Sequence, residues 1–358
     1  MEIAGAGRLK VRITPLDVGK RVSIRRFVDP SGGDGTFTDT VGVLTSWYEG
    51  VLVITRRDGR SVRVPEGELA AGKVVPAAPA RRRGLPAADF VELTRAGARA
   101  WPPVESEALG EWRLRAAYRE APGGPRSGPS SGFTRRANSA LALGDPGVPL
   151  DRALTRVREW YGERGLPAYV QAATGAAGTQ EVLCADLEER GWRREVSADV
   201  RIAGLAPVGD LDADVARVAL ARSFDELGPG WLRRYQRSAE PGPHVLKVLA
   251  GGPSVWFAAV PGTDADGRDV PAAIGRCVVD GRWAGFMAVE VDPTHRRQGL
   301  ATAVMTALAR RALEEGASAA WLQVEADNAG AGALYEGMGF TTHHSYHHYH
   351  APEGPSDA

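Results

Sequence analysis

From residue 11 to 76 the chain alternates short runs rich in Val and Ile with turn residues. Segments 21–28, 40–46, 50–56 and 60–64 read as strands, and Asp29-Pro30-Ser31-Gly32-Gly33 and Arg57-Asp58-Gly59 as the turns between them. So many short strands in so few residues bury a core only by curling, so a small all-β barrel is expected over 1–79. A linker, 80–86 (ARRRGLP), follows. Beyond it the period changes. Strands at 113–119 and 133–143 flank the loop APGGPRSGPSSG; then come a helix at 150–164, a strand at 168–173, a helix at 180–190 and a strand at 191–202. The last third reads as a helix over 212–224 (Val215, Val218, Ala219 and Arg222 at helical spacing), a short helix at 231–237, and strands at 254–260, 272–279 and 282–291. Turns at Asp264 to Asp269 and Asp280-Gly281 join these strands. A helix after residue 299 carries Ala301, Val304, Met305, Leu308 and Ala312 on one stripe. A strand at 321–325, a capped helix from Asn328, a last strand and a disordered tail, 352–358, complete the chain.

The middle and last thirds parallel each other. Asp145-Pro146 matches Asp292-Pro293, Tyr169-Val170-Gln171 matches Trp321-Leu322-Gln323, and Leu187-Glu188-Glu189-Arg190-Gly191-Trp192 matches Tyr335-Glu336-Gly337-Met338-Gly339-Phe340. This is an internal repeat of two β-α-β-α-β units. In the first, Pro149 removes an amide where the second offers donors, and Leu187 stands in place of Tyr335. The organisation expected is a barrel (1–79), a degenerate lobe (87–203) that walls the substrate cleft, and an intact lobe (204–351).

Composition narrows the function classes. The 358 residues are 43% hydrophobic and 25% charged, and 44 basic residues balance 44 acidic ones. Nucleic acid and anionic membranes are therefore not expected as partners. Trp47 and Tyr48 stand beside Glu49, so the barrel shows no basic aromatic stripe. Cys184 and Cys277 make no disulfide framework and are expected to be reduced and buried. No signal-like or membrane-length apolar run is present, which points to a cytoplasmic protein.

The chemistry concentrates at Val291-Asp292-Pro293-Thr294-His295-Arg296-Arg297-Gln298-Gly299-Leu300-Ala301. A strand, a small-residue loop and a helix N-terminus in that order make an anion cradle, because first-turn amides converge and Gly admits a phosphate to the main chain. The Lys-Ser/Thr of a P-loop is missing, which argues against a metal-bound nucleotide. About one helix downstream lies Asn328-x-x-Ala331-x-x-Leu334-Tyr335-Glu336-x-x-Gly339-Phe340. Together, the RRQGLA and N-x-x-A-x-x-L-Y-E-x-x-G-F motifs resemble the GNAT superfamily of acyl-CoA-dependent N-acyltransferases, over about residues 205 to 350.

The resemblance implies an α+β fold, a mostly antiparallel mixed sheet flanked by helices, here in tandem behind an SH3-like barrel. It implies acetyl-CoA as co-substrate and no metal. Amides of Arg297, Gln298, Gly299, Leu300 and Ala301 would bind the pyrophosphate, with Thr302 adding a hydroxyl and Arg296 and Arg297 charge. The backbone at Val289 to Val291 would hold the pantetheine and polarise the thioester. Tyr335 would protonate the departing thiolate, and Asn328 would cap its helix and touch the cofactor arm. Where relatives that acetylate protein N-termini often carry Glu, this chain has Gln323, which takes no proton. Glu290 and Glu325 are the carboxylates within reach; either could serve as base, directly or through water, and Glu290 is the candidate. Five histidines, His343, His344, His347, His348 and His350, crowd the last strand, whose spacing suits an acceptor pocket or sheet packing better than a compact metal tetrahedron. The expected activity is acetyl transfer to a primary amine, small or peptidic, with the barrel open to a protein partner. The alternative is a regulatory protein that senses acyl-CoA without turning it over.

Overall fold

The computed structural model describes residues 10–27, 37–75, 84–118, 132–235, 241–264 and 266–352. The turn at Asp29 to Gly33, most of the linker and of the 121–132 loop, and the tail lie outside these residues. Strands β1 (Arg21–Phe27), β2 (Phe37–Tyr48), β3 (Val51–Thr55), β4 (Ser61–Pro65) and β5 (Leu69–Val74) form one sheet in the order β4-β3-β2-β1-β5. Period-two alternation buries Val22, Ile24, Leu44, Leu52, Ile54 and Val64 as its core.

The rest of the chain builds a second sheet. Its elements are α1 (Phe90–Ala100), β6 (Glu105–Leu109), β7 (Trp112–Ala116), β8 (Ala140–Leu141), α2 (Leu150–Gly162), β9 (Tyr169–Thr174), α3 (Glu181–Glu189), β10 (Arg193–Gly204), α4 (Leu205–Gly209) and β11 (Ala219–Ala221). They continue with α5 (Gly230–Arg234), α6 (Pro243–Ala250), β12 (Ser254–Val260), β13 (Ala273–Asp280), β14 (Trp283–Val291), α7 (Leu300–Glu314), β15 (Ala319–Glu325), α8 (Ala329–Gly337) and β16 (Thr341–His350). Eleven strands run in the order β11-β12-β13-β14-β15-β10-β16-β9-β8-β7-β6. The two parallel joints, β14–β15 and β8–β9, sit on either side of an antiparallel centre.

That centre is a reciprocal exchange. β10, from the first repeat, pairs with β15 through Ala198↔Glu325 to Gly204↔Ala319. β16, from the second repeat, pairs with β9 through Ser345↔Thr174 to His350↔Tyr169. The two exchanged strands then pair with each other. The sheet thus runs unbroken across the repeat boundary, and neither repeat completes its own set of strands.

Two elements differ from the pattern-based expectation. Residues 212–224 are not a helix but a 3-10 turn (Val215–Arg217) followed by β11, whose Ala219 to Ala221 pair with Ala259 to Phe257. The open edge of β12 offers ladder hydrogen bonds there, and that pairing overrides local helical spacing. In 133–143 only Ala140–Leu141 is strand. The preceding turn winds around Asn138, whose amide accepts from Ala117 N at 2.8 Å and donates to Ala117 O and Phe133 O. A side chain that satisfies backbone groups in this way competes with the sheet ladder.

Helices α1 and α6 were not anticipated. The signal for α1 was present: Asp89 accepts from Glu92 N at 2.7 Å as its cap, and Phe90, Leu93, Ala96 and Ala100 lie buried along one side.

Candidate functional site

The site forms where β14 and β15 part. Their parallel pairing runs from Trp283↔Ala319 to Phe286↔Leu322 and stops there. Beyond it β14 stays with β13 as far as Ala273↔Val291, while β15 follows β10 as far as Ala198↔Glu325. Each strand keeps its outer partner, so the inner edges diverge into a V. A bulge sharpens the divergence: register shifts between Ile274 and Arg276, and Ala288 opposite it sits at φ 52, in the left-handed region. The closed end of the V is set by Gly285, where a Cβ would lie 2.4 Å from the Trp321 ring.

The cleft is lined by Ala288, Val289 and Glu290 from β14, by Gln323, Val324 and Glu325 from β15, and by Asn328, Ala331 and Tyr335 around α8. The structure therefore brings Val289, Glu290, Asn328 and Tyr335 to one cavity. Tyr335 and Glu290 are both half-buried. Tyr335 packs its ring near Phe340, with centroids 6.1 Å apart. Asn328 caps α8 by accepting from Ala331 N at 3.1 Å.

The cradle follows at the end of the same strand. Asp292 makes the turn: its Oδ1 accepts from Thr294 N at 2.8 Å and its Oδ2 meets Arg234 Nη2 at 2.5 Å. The Thr294 bonds first, and then Arg234, hold this carboxyl well below the usual carboxylate range. Arg297 (φ 65) and Gly299 (φ 76) are both left-handed, which folds the main chain back on itself immediately before α7. No side chain caps α7 and its first turn carries no acid, so the amides of Leu300, Ala301 and Thr302 are left for an external acceptor. Arg296, Arg297, Gln298 and Gly299 are exposed around them. Below, Leu300, Val304, Met305, Leu308 and Ala312 bury the helix against the sheet, while Ala301 is only partly covered.

The first repeat keeps the turn but not the cradle. Asp145 Oδ1 accepts from Gly147 N at 2.7 Å, as Asp292 does from Thr294, yet Pro149 occupies the cap of α2, and Leu187 is fully buried. At its own parallel joint the corresponding space is lined by Phe90, Leu93 and Gly97 of α1.

Among the cleft-wall residues that sequence reasoning missed are Trp101, Arg136 and Tyr235, which come from outside the two motifs. Arg136 comes from the first repeat. Its Nε donates to Gln323 Oε1 at 2.6 Å and to the Tyr346 hydroxyl at 2.9 Å. Nothing local marks it, because its place depends on the strand exchange. The histidines of β16 divide between two settings. His347 lies between Thr174 Oγ1 (3.0 Å) and Ser197 Oγ (2.7 Å), beside the β3–β4 turn carrying Arg57, whose Nη2 donates to Thr342 O at 2.7 Å. His344 lines the cavity beside α1, and His348 a cavity adjoining the cleft. No group of three metal-ligating side chains occurs among the described residues. Both cysteines are free and buried, and burial pushes the Cys184 thiol up to about 12 and Cys277 up as well. No described helix is long and apolar enough to cross a membrane.

Residues 87–349 match the family model described as "Probable histone acetyltransferase Rv0428c C-terminal". The chain is 26% identical over 338 residues to "Probable histone acetyltransferase Rv0428c" of Mycobacterium tuberculosis, covering 91% of this chain and 93% of that one. It is 36% identical over 96 residues to the [Ribosomal protein bS18]-alanine N-acetyltransferase of Escherichia coli K12, covering 26% of this chain and 62% of that enzyme. Among solved structures, a GCN5-related N-acetyltransferase from Kribbella flavida aligns at TM-score 0.49 and 18% identity, covering 73% of this chain and 95% of that one.

Proposed function

The chain belongs to the Rv0428c C-terminal family and is a GNAT-superfamily N-acetyltransferase, and on that premise we propose that it moves an acetyl group from acetyl-CoA to a primary amine by direct attack. The observation that carries this reading is the convergence of Val289, Glu290 and Tyr335 on one cleft, with the uncapped α7 terminus at the end of the same strand. Amides from Arg297 to Ala301, the Thr302 hydroxyl and the charges of Arg296 and Arg297 hold the pyrophosphate. The backbone of Val289 to Val291 aligns the thioester and steadies the oxyanion. Glu290, directly or through water, takes a proton from the amine as its nitrogen bonds the acetyl carbon. As the carbon–sulfur bond breaks, the Tyr335 hydroxyl protonates the sulfur and regains its own proton from solvent. No acyl-enzyme is required: the only two thiols are buried and raised, the reverse of an activated nucleophile.

The first repeat serves as a degenerate lobe whose Phe133 to Arg136 segment walls the acceptor side. Gln323 supports the second reading, an acyl-CoA sensor, since Arg136 already occupies its carbonyl and no carboxylate stands at that position.

Thiol release from acetyl-CoA with an amine panel separates the two. Tyr335→Phe is expected to lower kcat about 100-fold, with acetyl-CoA affinity retained. Gly299→Glu, which places a carboxylate in the cradle, is expected to weaken acetyl-CoA binding tenfold or more. Wild-type binding of acetyl-CoA, with no release above background from any amine, supports the sensor instead.

A further inference from the structure

We infer that the acceptor is an amine that also carries a carboxylate, and that Arg136 of the first repeat reads that carboxylate. This rests on the acetyl-transfer reading of the same cleft. Two cavities meet at one wall made of Arg136, Tyr235 and Glu325. The first holds Glu290 and Tyr335 and is the reacting end. The second is lined by Phe133 to Arg136 of the first repeat and by the cross-strand neighbours Val196 and His348, with Tyr346, of β10 and β16. An acceptor with its amine at Glu290 therefore lays its far end across Arg136.

Arg136 is held for this task. Its Nε is spent on Gln323 and Tyr346, and its guanidinium lies 5.9 Å from the Trp101 ring centroid. No carboxylate pairs with it among the described residues, and both terminal nitrogens, Nη1 and Nη2, make no hydrogen bond there. Its neighbour Arg135 is matched by Glu195, and neither Glu290 nor Glu325 is without a partner. Arg136 is thus the unmatched charge of the wall, and a planar guanidinium with both Nη groups open suits a carboxylate in two-pronged contact. A second observation points the same way. His348, 2% exposed, lines the far cavity with both ring nitrogens unpartnered, so a neutral imidazole N–H is available to the same end of the acceptor. The position of Gln323 then has a reason: its carbonyl fixes the Arg136 side chain, which a carboxylate there would neutralise.

The test is steady-state kinetics on the full chain with acetyl-CoA and linear ω-amino carboxylates, from β-alanine to 6-aminohexanoate, each paired with its carboxamide. At the best chain length the acid is expected to exceed its amide in kcat/KM by about tenfold or more, through KM. Arg136→Gln is expected to bring that ratio toward one while keeping acetyl-CoA affinity, and Arg136→Lys to restore part of it. Amides equal to or better than acids at every length overturn the inference, as does an Arg136→Gln variant that lowers kcat for both alike. If nothing is acetylated, calorimetric titration of the acids onto the wild type and Arg136→Gln still decides: binding lost in the variant supports Arg136, and no binding to wild type refutes it. Failure of acetyl-CoA itself to bind refutes the acetyl-transfer reading separately.

Discussion

Arg276 shows how much one residue can hold together. It is fully buried on β13 and donates to Ala100 O (3.0 Å) at the end of α1 and to Leu249 O (2.7 Å) and Gly251 O (2.5 Å) at the end of α6. Helix ends leave carbonyls without partners, and one guanidinium satisfies three of them at two helix ends. Burial draws it down only to about 10, so it stays cationic at pH 7. Arg276→Leu strands two buried carbonyls and one partly buried, and is expected to cost about 3 kcal/mol or more, read as a fall in the denaturant midpoint. At this scale the sequence was legible where a backbone need selects a residue type: Gly299 as the residue that admits a phosphate to the main chain and Asn328 as a cap were read from their motifs, and the structure puts Gly299 at φ 76 and Asn328 Oδ1 on Ala331 N. It was silent where the need falls on an ordinary residue. Ala288 takes φ 52 without any mark in its identity, and neither Arg136 nor Arg276 differs in sequence from the many surface arginines.

Among the elements, β16 carries the clearest consequence. Burial holds His347 down to about 4, His344 to about 3, and His348 well below its ordinary value near 6.5. The unfolded chain takes up these protons at a higher pH than the folded one, so stability is complete above about pH 6.5 and is lost as pH falls toward 4. The slope approaches about 1.4 kcal/mol per pH unit for each histidine kept neutral. A melting temperature that declines steeply between pH 6.5 and 4.5, and a shallower decline in His347→Gln, are the expected results; a flat profile would contradict the burial. The period of β16 was plain in the sequence, but which face met solvent was not. Exchange pairs both edges of the strand, and both faces are covered by other layers: α1 lies against His344 on one face, and the Arg57 to Gly59 turn lies beside His347 on the other. The same cause turned 212–224 from an expected helix into β11: an available sheet edge outweighed a weak local periodicity.

For the whole molecule, the exchange of β10 and β16 ties the repeats into one folding unit. Removing either repeat takes a central strand from the other, so a chain ending at 204 should not fold alone, having lost β16. Residues 84–352 are expected to unfold in a single calorimetric transition, with equal van't Hoff and calorimetric enthalpies; two separated transitions would refute the coupling. The N-terminal five-stranded sheet meets this unit at its β3–β4 turn. Thr174 Oγ1 donates to Arg57 O at 2.9 Å, and Arg194 Nη1 to Asp58 O at 3.1 Å, so that turn already has its partner within the chain.

What the sequence determined by itself was local: a strand leading into a small-residue loop and a helix terminus, the capped helix carrying Tyr335, the alternation of the N-terminal strands, and the existence of a repeat. Each is written in spacings of a few residues, where backbone geometry and solvent exposure act directly on side-chain choice. The tertiary structure alone decided strand order, the exchange at the centre of the sheet, the opening between β14 and β15, and the arrival of Arg136 beside Gln323, 187 residues away along the chain. These follow from which edges find each other, and the free energy of that pairing is shared among many residues, so no single position records it.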